Sequence, residues 1–517
     1  MREAQGTASV LSYLTRRVLL MVPTLLCVSY LLFMLVALAP GGVGAALRQS
    51  GGSGGQEASW VQKAYLDDRY GLNDPVHSQY VRWLRRISPL KFGPRDMVRP
   101  SGEVEARPRR IPVPPAWEWF VDSLPVEPSP IKPDESVLTT DEGLTLAFTR
   151  AKEAYAKGRS DFIGARAALN VAIAEYLRGL DIEVTTEPGE DLSSSVLGRV
   201  TPDRTSESWR PVKVAGDRII EIYREAISAR AALLGMFDVP VFEASGVSIV
   251  PGSVSIAKPD LGTVFSRGQT VSSEIARALP VTLGLNLLAI PLIYAIAIPS
   301  GILAANHRGR WIDVLLGMNF IAMWSIPVVL GGILLRGYLA SQNNWMLFPS
   351  TGLHDRAAEG MTYLPSMGEG GWSRGYLLDM LWHLGLPVAC LVYTGFAVLS
   401  KQTRAAMLDN FNSDYVRTAK AKGVENRTIV YAHVFRNSLL PLITMFANVF
   451  PAMLAGSVVV ERIFGIPGMG TLVIQAIELR DRELLLGNAM MIAIVSMVGL
   501  LIADVLYAIA DPRISYK

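Results

Sequence analysis

Cysteine is scarce in this chain. The two in 517 residues, Cys27 and Cys390, both fall inside apolar runs, so neither is placed to staple an extracytoplasmic domain. The dipeptide Gly-Lys is missing altogether, which excludes a Walker A loop and ATP binding of that kind. The five histidines, at 77, 307, 354, 383 and 433, are scattered, and there is no HExxH or CxxC, so local spacing supports no metal site. GxSxG occurs once, as the glycine linker around Ser53, with neither the strand before nor the helix after that a nucleophile elbow needs. Charge is sparse too, at 18% of residues with a net +3, and no basic tract is interleaved with aromatics, which argues against nucleic-acid binding. These absences predict a chain that is not an enzyme and carries no cofactor or metal.

What is present is apolar. Half of the residues are hydrophobic and mean hydropathy is +0.29, which points to a membrane protein. A bilayer core of about 30 Å takes about 20 residues of helix. Six uncharged runs of that order occur, at 18–39, 278–305, 314–335, 380–400, 437–460 and 484–503. Fourteen Lys and Arg flank these runs on the side that holds the N-terminus, and six lie in the two short loops opposite, so both termini are expected in the cytoplasm. "ALA" at 37–39 resembles a signal-peptide cleavage site, but the apolar run before it is too long for a signal h-region and predicts an uncleaved anchor.

By this topology residues 40–277 lie outside. They include the linker "GGSGG" at 51–55 and a proline-rich stretch at 108–133 expected to be extended. Two stretches, 140–180 and 212–237, repeat apolar residues at three and four and carry too many charges to cross a bilayer, so they predict helices packed on one another. Pro280, Pro291, Pro299, Pro327, Pro387 and Pro451 mark candidate bends in the spans. Asp504, near the end of the last run, is either the intramembrane acid of an ion-coupled transporter or an interfacial hydrogen-bonding group.

The segment "DYVRTAKAKG", residues 414–423, falls in the cytoplasmic loop 401–436. Asp414 is placed to cap a helix, Gly423 to end it, and the small side chains of Thr418, Ala419 and Ala421 would let another surface come close. A solvated basic loop is the alternative reading of the same residues.

This segment resembles the cytoplasmic EAA loop of ABC-importer permeases, in the form found in the oligopeptide and dipeptide permease family. The general motif is matched literally only at Ala419, with Arg417 and Thr418 in the two positions before it and Gly423 as the motif glycine. Also similar to that family are "YLTRRVLLMVPTLLCVSYLLFMLVALAPGG" from Tyr13, "RYGLNDPVHSQYVRWL" from Arg69, "LPVTLGLNLLAIPLIYAIAIPSGILAA" from Leu279, "VVVERIFGIPGMGTLV" from Val458 and "LLIADVLYAIADPRI" from Leu500.

The resemblance implies an all-α membrane protein with six transmembrane helices of the ABC importer type. It implies residues 1–97 as anchor helix and loop start, and 259–517 as a five-helix permease domain; between them, 98–258 stands as an extracytoplasmic, mainly helical insertion. It further implies Asp414, Tyr415, Arg417, Thr418, Ala419, Lys420, Ala421, Lys422 and Gly423 as the ATPase-coupling residues. The implied partners are two cytoplasmic ABC ATPases, a second permease subunit, an extracytoplasmic solute-binding protein and membrane lipid, with peptides or similar small solutes as cargo. An ion-coupled secondary transporter and a membrane-anchored sensor or scaffold are the rival classes.

Overall fold

The computed structural model describes residues 2–38, 75–93, 95–100, 104–105, 107–133, 141–182, 184, 192, 194–198, 200–239, 241–264, 269–368 and 371–510. The linker at 51–55, the "RYGLND" end of one family-like stretch and the last residues of the closing one lie outside them. The chain forms two compact units, one of residues 1–38 with 261–517 and one of residues 39–260.

The second unit is built on two long helices. After α1 (Arg2–Leu38) and α2 (Val76–Ile87), α3 (Asp141–Arg178) and α4 (Arg210–Met236) lie side by side. They run antiparallel, since Phe162 meets Tyr223 at 5.8 Å and Tyr176 meets Trp209 at 5.5 Å between ring centroids. The period predicted from sequence is what they bury: Phe162, Leu169, Ile173 and Leu177 from α3 and Ile219 from α4 lie in one core. The proline-rich stretch runs without helix apart from a turn at Trp117–Trp119, and Ile131 N donates to Ala231 O on α4 at 3.0 Å.

Short strands add to the helices. β1 (Leu90–Phe92), β2 (Met97–Val98), β3 (Val104–Glu105), β4 (Glu243–Ala244), β5 (Val247–Val250) and β6 (Val254–Ile256) make two antiparallel three-stranded sheets, ordered β1-β6-β5 and β3-β2-β4. Both sheets join chain near residue 98 to chain near residue 250, because β1 pairs with β6 and β2 with β4. No strand is predicted from the sequence in this unit. These are too short, at two to four residues, to show a period.

The other unit is a helical membrane bundle. Among the described residues, four helices are long and apolar enough to cross a bilayer: residues 15–38 within α1, α5 (Val271–Asn306), α8 (Gly375–Phe411) and residues 482–506. The count rises to six if each of two sharply bent helix pairs is one span. The first such pair is α6 (Trp311–Ser325) and α7 (Val328–Leu339), bent by 93°. Proline explains this break, since Pro327 has no N–H to continue the ladder. Tyr393 Oη reaches the chain at the break, 3.4 Å from Ile326 O and 3.3 Å from Pro327 O. By contrast α5 runs through Pro280, Pro291 and Pro299, and α8 through Pro387, as continuous helices.

The helices approach closely where side chains are small. A Cβ on Gly301 of α5 would stand 2.5 Å from Thr403 Cβ on α8, and beside it the Ser300 and Ser400 hydroxyls meet at 2.9 Å. The loop before α8 holds the hairpin β7 (Ser366–Gly368) and β8 (Gly371–Ser373). α9 (Asp414–Ala421), α10 (Arg436–Phe464), α11 (Met469–Glu478) and α12 (Arg482–Ala510) complete the unit. α1 is tied to α12 near both ends, by Arg17 Nε at 3.1 Å from Asp504 Oδ2 and by the Arg482 guanidinium 4.2 Å over the Phe33 ring. Asp504 is therefore an interhelical ion-pair partner.

Candidate coupling site

α9 is a short helix held by one buried side chain. Val416 is fully buried among Ile302 and Ala305 from the end of α5, Met407 from α8, and Ile429, Val430 and Val434 from the segment that follows. That leaves Asp414, Tyr415, Arg417, Thr418, Lys420, Ala421 and Lys422 exposed. Ala419 is half-buried against the same apolar cluster, so of the three small residues in the motif it faces its own bundle and only Thr418 and Ala421 face out.

Two local details differ from the sequence reading or complete it. Asp414 is the first helical residue and does not cap. Ser413 is the cap by its extended backbone, at φ −74° and ψ 153°, while its hydroxyl turns back to donate to Asn410 O. An acid in the first turn still suits the positive end of the helix dipole. At the other end Gly423 sits at φ +75°, where a side chain is strained. Gly423 N donates to Lys420 O at 3.0 Å and Val424 N to Ala419 O at 3.1 Å, and Val424 packs in the cluster that takes Ala419. This is a complete Schellman ending. A Cβ on Gly423 would meet nothing within 4 Å, so backbone conformation, not space, demands glycine there.

Beyond Gly423 the chain re-enters the bundle through a turn at Asn426–Thr428 and a π-helical stretch Ile429–Phe435, leading directly into α10. A polar relay ties α9 to both flanking spans. Tyr415 Oη donates to Asn410 Oδ1 on α8 at 2.9 Å, Asn410 Nδ2 donates to Ser438 Oγ on α10 at 3.0 Å, and Ser438 Oγ reaches Val434 O at 2.9 Å. Close by in the chain, Arg404 on α8 grips Asp313 at the start of α6 with two bonds, Nε to Oδ1 at 2.6 Å and Nη2 to Oδ2 at 2.8 Å. Gly309 N also donates to Asp313 Oδ2, at 2.9 Å.

Sequence reasoning singled out neither this relay nor the centre at Glu461. That residue is fully buried in α10 beside the 82° bend between residues 457–464 and α11. Thr282 Oγ1 of α5 donates to its Oε1 at 2.7 Å and Thr471 N to its Oε2 at 3.0 Å. Met469 N donates to Thr282 Oγ1 at 2.8 Å, and Asn488 of α12 to Met469 O at 2.8 Å. One carboxylate thus receives the N-terminus of α11 and links α5 to α10, and a Cβ on Gly468 would stand 2.4 Å from its Cδ. Glu461 lies inside the family-like stretch that begins at Val458. Its role depends on residues 179 positions away, which local spacing cannot reveal.

Residues 297–516 match the family model of the binding-protein-dependent transport system inner membrane component. The chain is 36% identical over 263 residues to the oligopeptide transport system permease protein AppB of Bacillus subtilis, covering 51% of this chain and 78% of that protein. It is 32% identical over 259 residues to the inner membrane ABC transporter permease protein YejB of Escherichia coli O157:H7, covering 50% and 68%. With the oligopeptide transport system permease protein OppB of Haemophilus influenzae it shares 30% over 264 residues, covering 51% and 78%. Among solved structures the inward-facing MetNI methionine ABC transporter gives a TM-score of 0.35 at 12% identity, covering 46% of this chain and 97% of that one, a likeness too slight to argue from.

Proposed function

This chain belongs to the family of binding-protein-dependent transport system inner membrane components and is the transmembrane permease subunit of a peptide-type ABC importer, and we propose that α9 with its Gly423 turn is where an ATPase subunit drives it. One observation carries the proposal: α9 is anchored by the single buried side chain of Val416 while its other faces carry exposed groups for a partner. A push on α9 is passed on through Val416 to α5 and α8, and through the Tyr415–Asn410–Ser438 relay to α8 and α10. The roles of Asp414, Arg417, Thr418, Lys420, Ala421 and Lys422 are then to meet the ATPase.

The membrane unit counts six spans on this reading, with each bent pair crossing as one, and both termini face the cytoplasm, as the Lys and Arg distribution favours. The working assembly is two ATPases, a second permease subunit and a solute-binding protein on the far side, where residues 98–258 would also stand. Peptides are the cargo class, since the relatives are named for oligopeptides. An ion-coupled transporter built on Asp504 would need that acid free, and it is already engaged at two points by Arg17.

The test is a chemical cross-link. A cysteine at Ala421, exposed on α9, is expected to join the ATPase subunit that co-purifies with the detergent-solubilised permease. Co-purification with no cross-link at this position would place the contact elsewhere, and absence of any ATPase would remove the assembly proposed.

A further inference from the structure

The β1-β6-β5 sheet of the 39–260 unit is inverted. In an antiparallel ladder, residues directly opposite share a face. Leu90 stands opposite Ile256 and Phe92 opposite Val254; Ile256 stands opposite Val247 and Val254 opposite Val250. One face is therefore entirely apolar, yet five of these six residues are exposed and only Val254 is half-buried, with Phe92 at 74% and Val247 at 73%. The other face carries Lys91, Ser255 and Ser248. It is turned inward at Lys91 and Ser255, Ser248 on the edge strand being exposed: Ser255 is buried, and Lys91 Nζ donates to Arg86 O at 2.5 Å and Arg85 O at 3.1 Å. A half-solvated antiparallel sheet ordinarily does the reverse, and a contiguous apolar patch of this kind marks a contact surface.

We propose that this face lies in the interfacial layer of the bilayer, on the side of the membrane where the 39–260 unit stands. Reach comes first. Val271 N, at the start of α5, donates to Gly262 O at 2.9 Å, so six residues of chain separate Ile256 from the top of a membrane-crossing helix. A link of that length spans at most about 20 Å. The unit is also joined to such a helix at its other end, through α1, so both of its attachments lead into the membrane.

Chemistry selects lipid over protein as the occupant. The apolar face offers no donor, acceptor or charge with which a protein partner would set a register, whereas an acyl layer requires none. Arg82 and Arg85 near the end of α2, and Lys258 just past β6, are exposed beside the sheet in sequence and supply cations for anionic headgroups. The outer backbone edge of β5 is tolerated at interfacial depth, where water and headgroups can satisfy it, though it would not be in the hydrocarbon core.

Depth-dependent quenching in the full-length permease tests this. With Cys27 and Cys390 replaced, a single cysteine at Val247 is labelled with an environment-sensitive fluorophore and the protein is reconstituted in phosphatidylethanolamine–phosphatidylglycerol vesicles. A label at Phe92 reports the opposite edge of the same face, and one at Val214, exposed on α4, serves as reference. Lipids with a nitroxide on the acyl chain are expected to remove about half of the emission at 247 and 92 and little at 214. Labels at 247 and 92 that are quenched by aqueous iodide and untouched by nitroxide lipid would overturn the proposal. So would shielding from iodide that develops only when the binding protein or the second permease subunit is added, since the face would then be a protein-docking surface.

Discussion

Tyr415 and Asn410 meet at 2.9 Å, and Asn410 spends its amide nitrogen on Ser438, so the exposed helix α9 is bonded through one side chain to two separate spans. Tyr415→Phe removes the first bond and leaves the ring. A bond of this type contributes about 1 kcal/mol. The expected result is normal membrane abundance with fewer substrate molecules imported per ATP hydrolysed, measured in proteoliposomes with the ATPases. An unchanged ratio would mean that the relay does not transmit.

Gly423 separates conformation from space. Because a Cβ would meet nothing there, Gly423→Asn should retain most uptake, since asparagine enters the left-handed region readily. Gly423→Val should insert normally and lose uptake, at a cost of about 1–2 kcal/mol to the turn. If valine and asparagine behave alike, positive φ is not what the site requires.

The Arg404–Asp313 pair is a two-pronged contact that a lysine cannot reproduce. Arg404→Lys keeps the charge but loses one of the two bonds. A drop in the thermal midpoint of the detergent-solubilised protein is expected, corresponding to about 1–3 kcal/mol for a charge-assisted bond left unmade at the largely buried Asp313.

The Glu461 carboxylate accepts on both oxygens, from Thr282 Oγ1 on one and from Thr471 N on the other. Glu461→Gln would turn an amide N–H₂ toward one of them. The glutamine variant is therefore expected to be destabilised by about 1–3 kcal/mol despite its matching shape. Loss of uptake with a lowered thermal midpoint would accord with this, and full activity would not.

In the 39–260 unit, burial raises the Asp96 carboxyl above its ordinary value, the nearby Lys91 opposing the shift. A carboxyl raised in the folded state favours folding most below its unfolded value and loses that contribution as pH climbs through its folded value. Stability of this unit is thus expected to fall from the ordinary aspartate range, about pH 4, upward. Asp96→Asn should flatten that part of the profile, as read by hydrogen exchange in α3 and α4 across pH. A profile identical to the parent would show that Asp96 ionises without cost.

Much was legible in the chain because it depends on near neighbours. Apolar runs marked the helical membrane segments, periods of three and four marked α3 and α4, and Gly423 marked the end of α9, since each signal sits within a few residues of its effect. The cap expected at Asp414 falls one residue earlier, at Ser413, which adopts the cap conformation. What the tertiary structure alone decided is long-range. Pro327 breaks its helix sharply while Pro280, Pro291, Pro299 and Pro387 are carried through; at the break, Tyr393, more than sixty residues away in sequence, bonds the Ile326 and Pro327 carbonyls. Asp504 read alone is an acid in an apolar run, and only the packing of α1 on α12 brings Arg17 to it. Glu461 and the inverted sheet follow the same rule: a carboxylate's donors and a strand's exposed face are set by segments distant in sequence, and no short-range pattern encodes which segments meet.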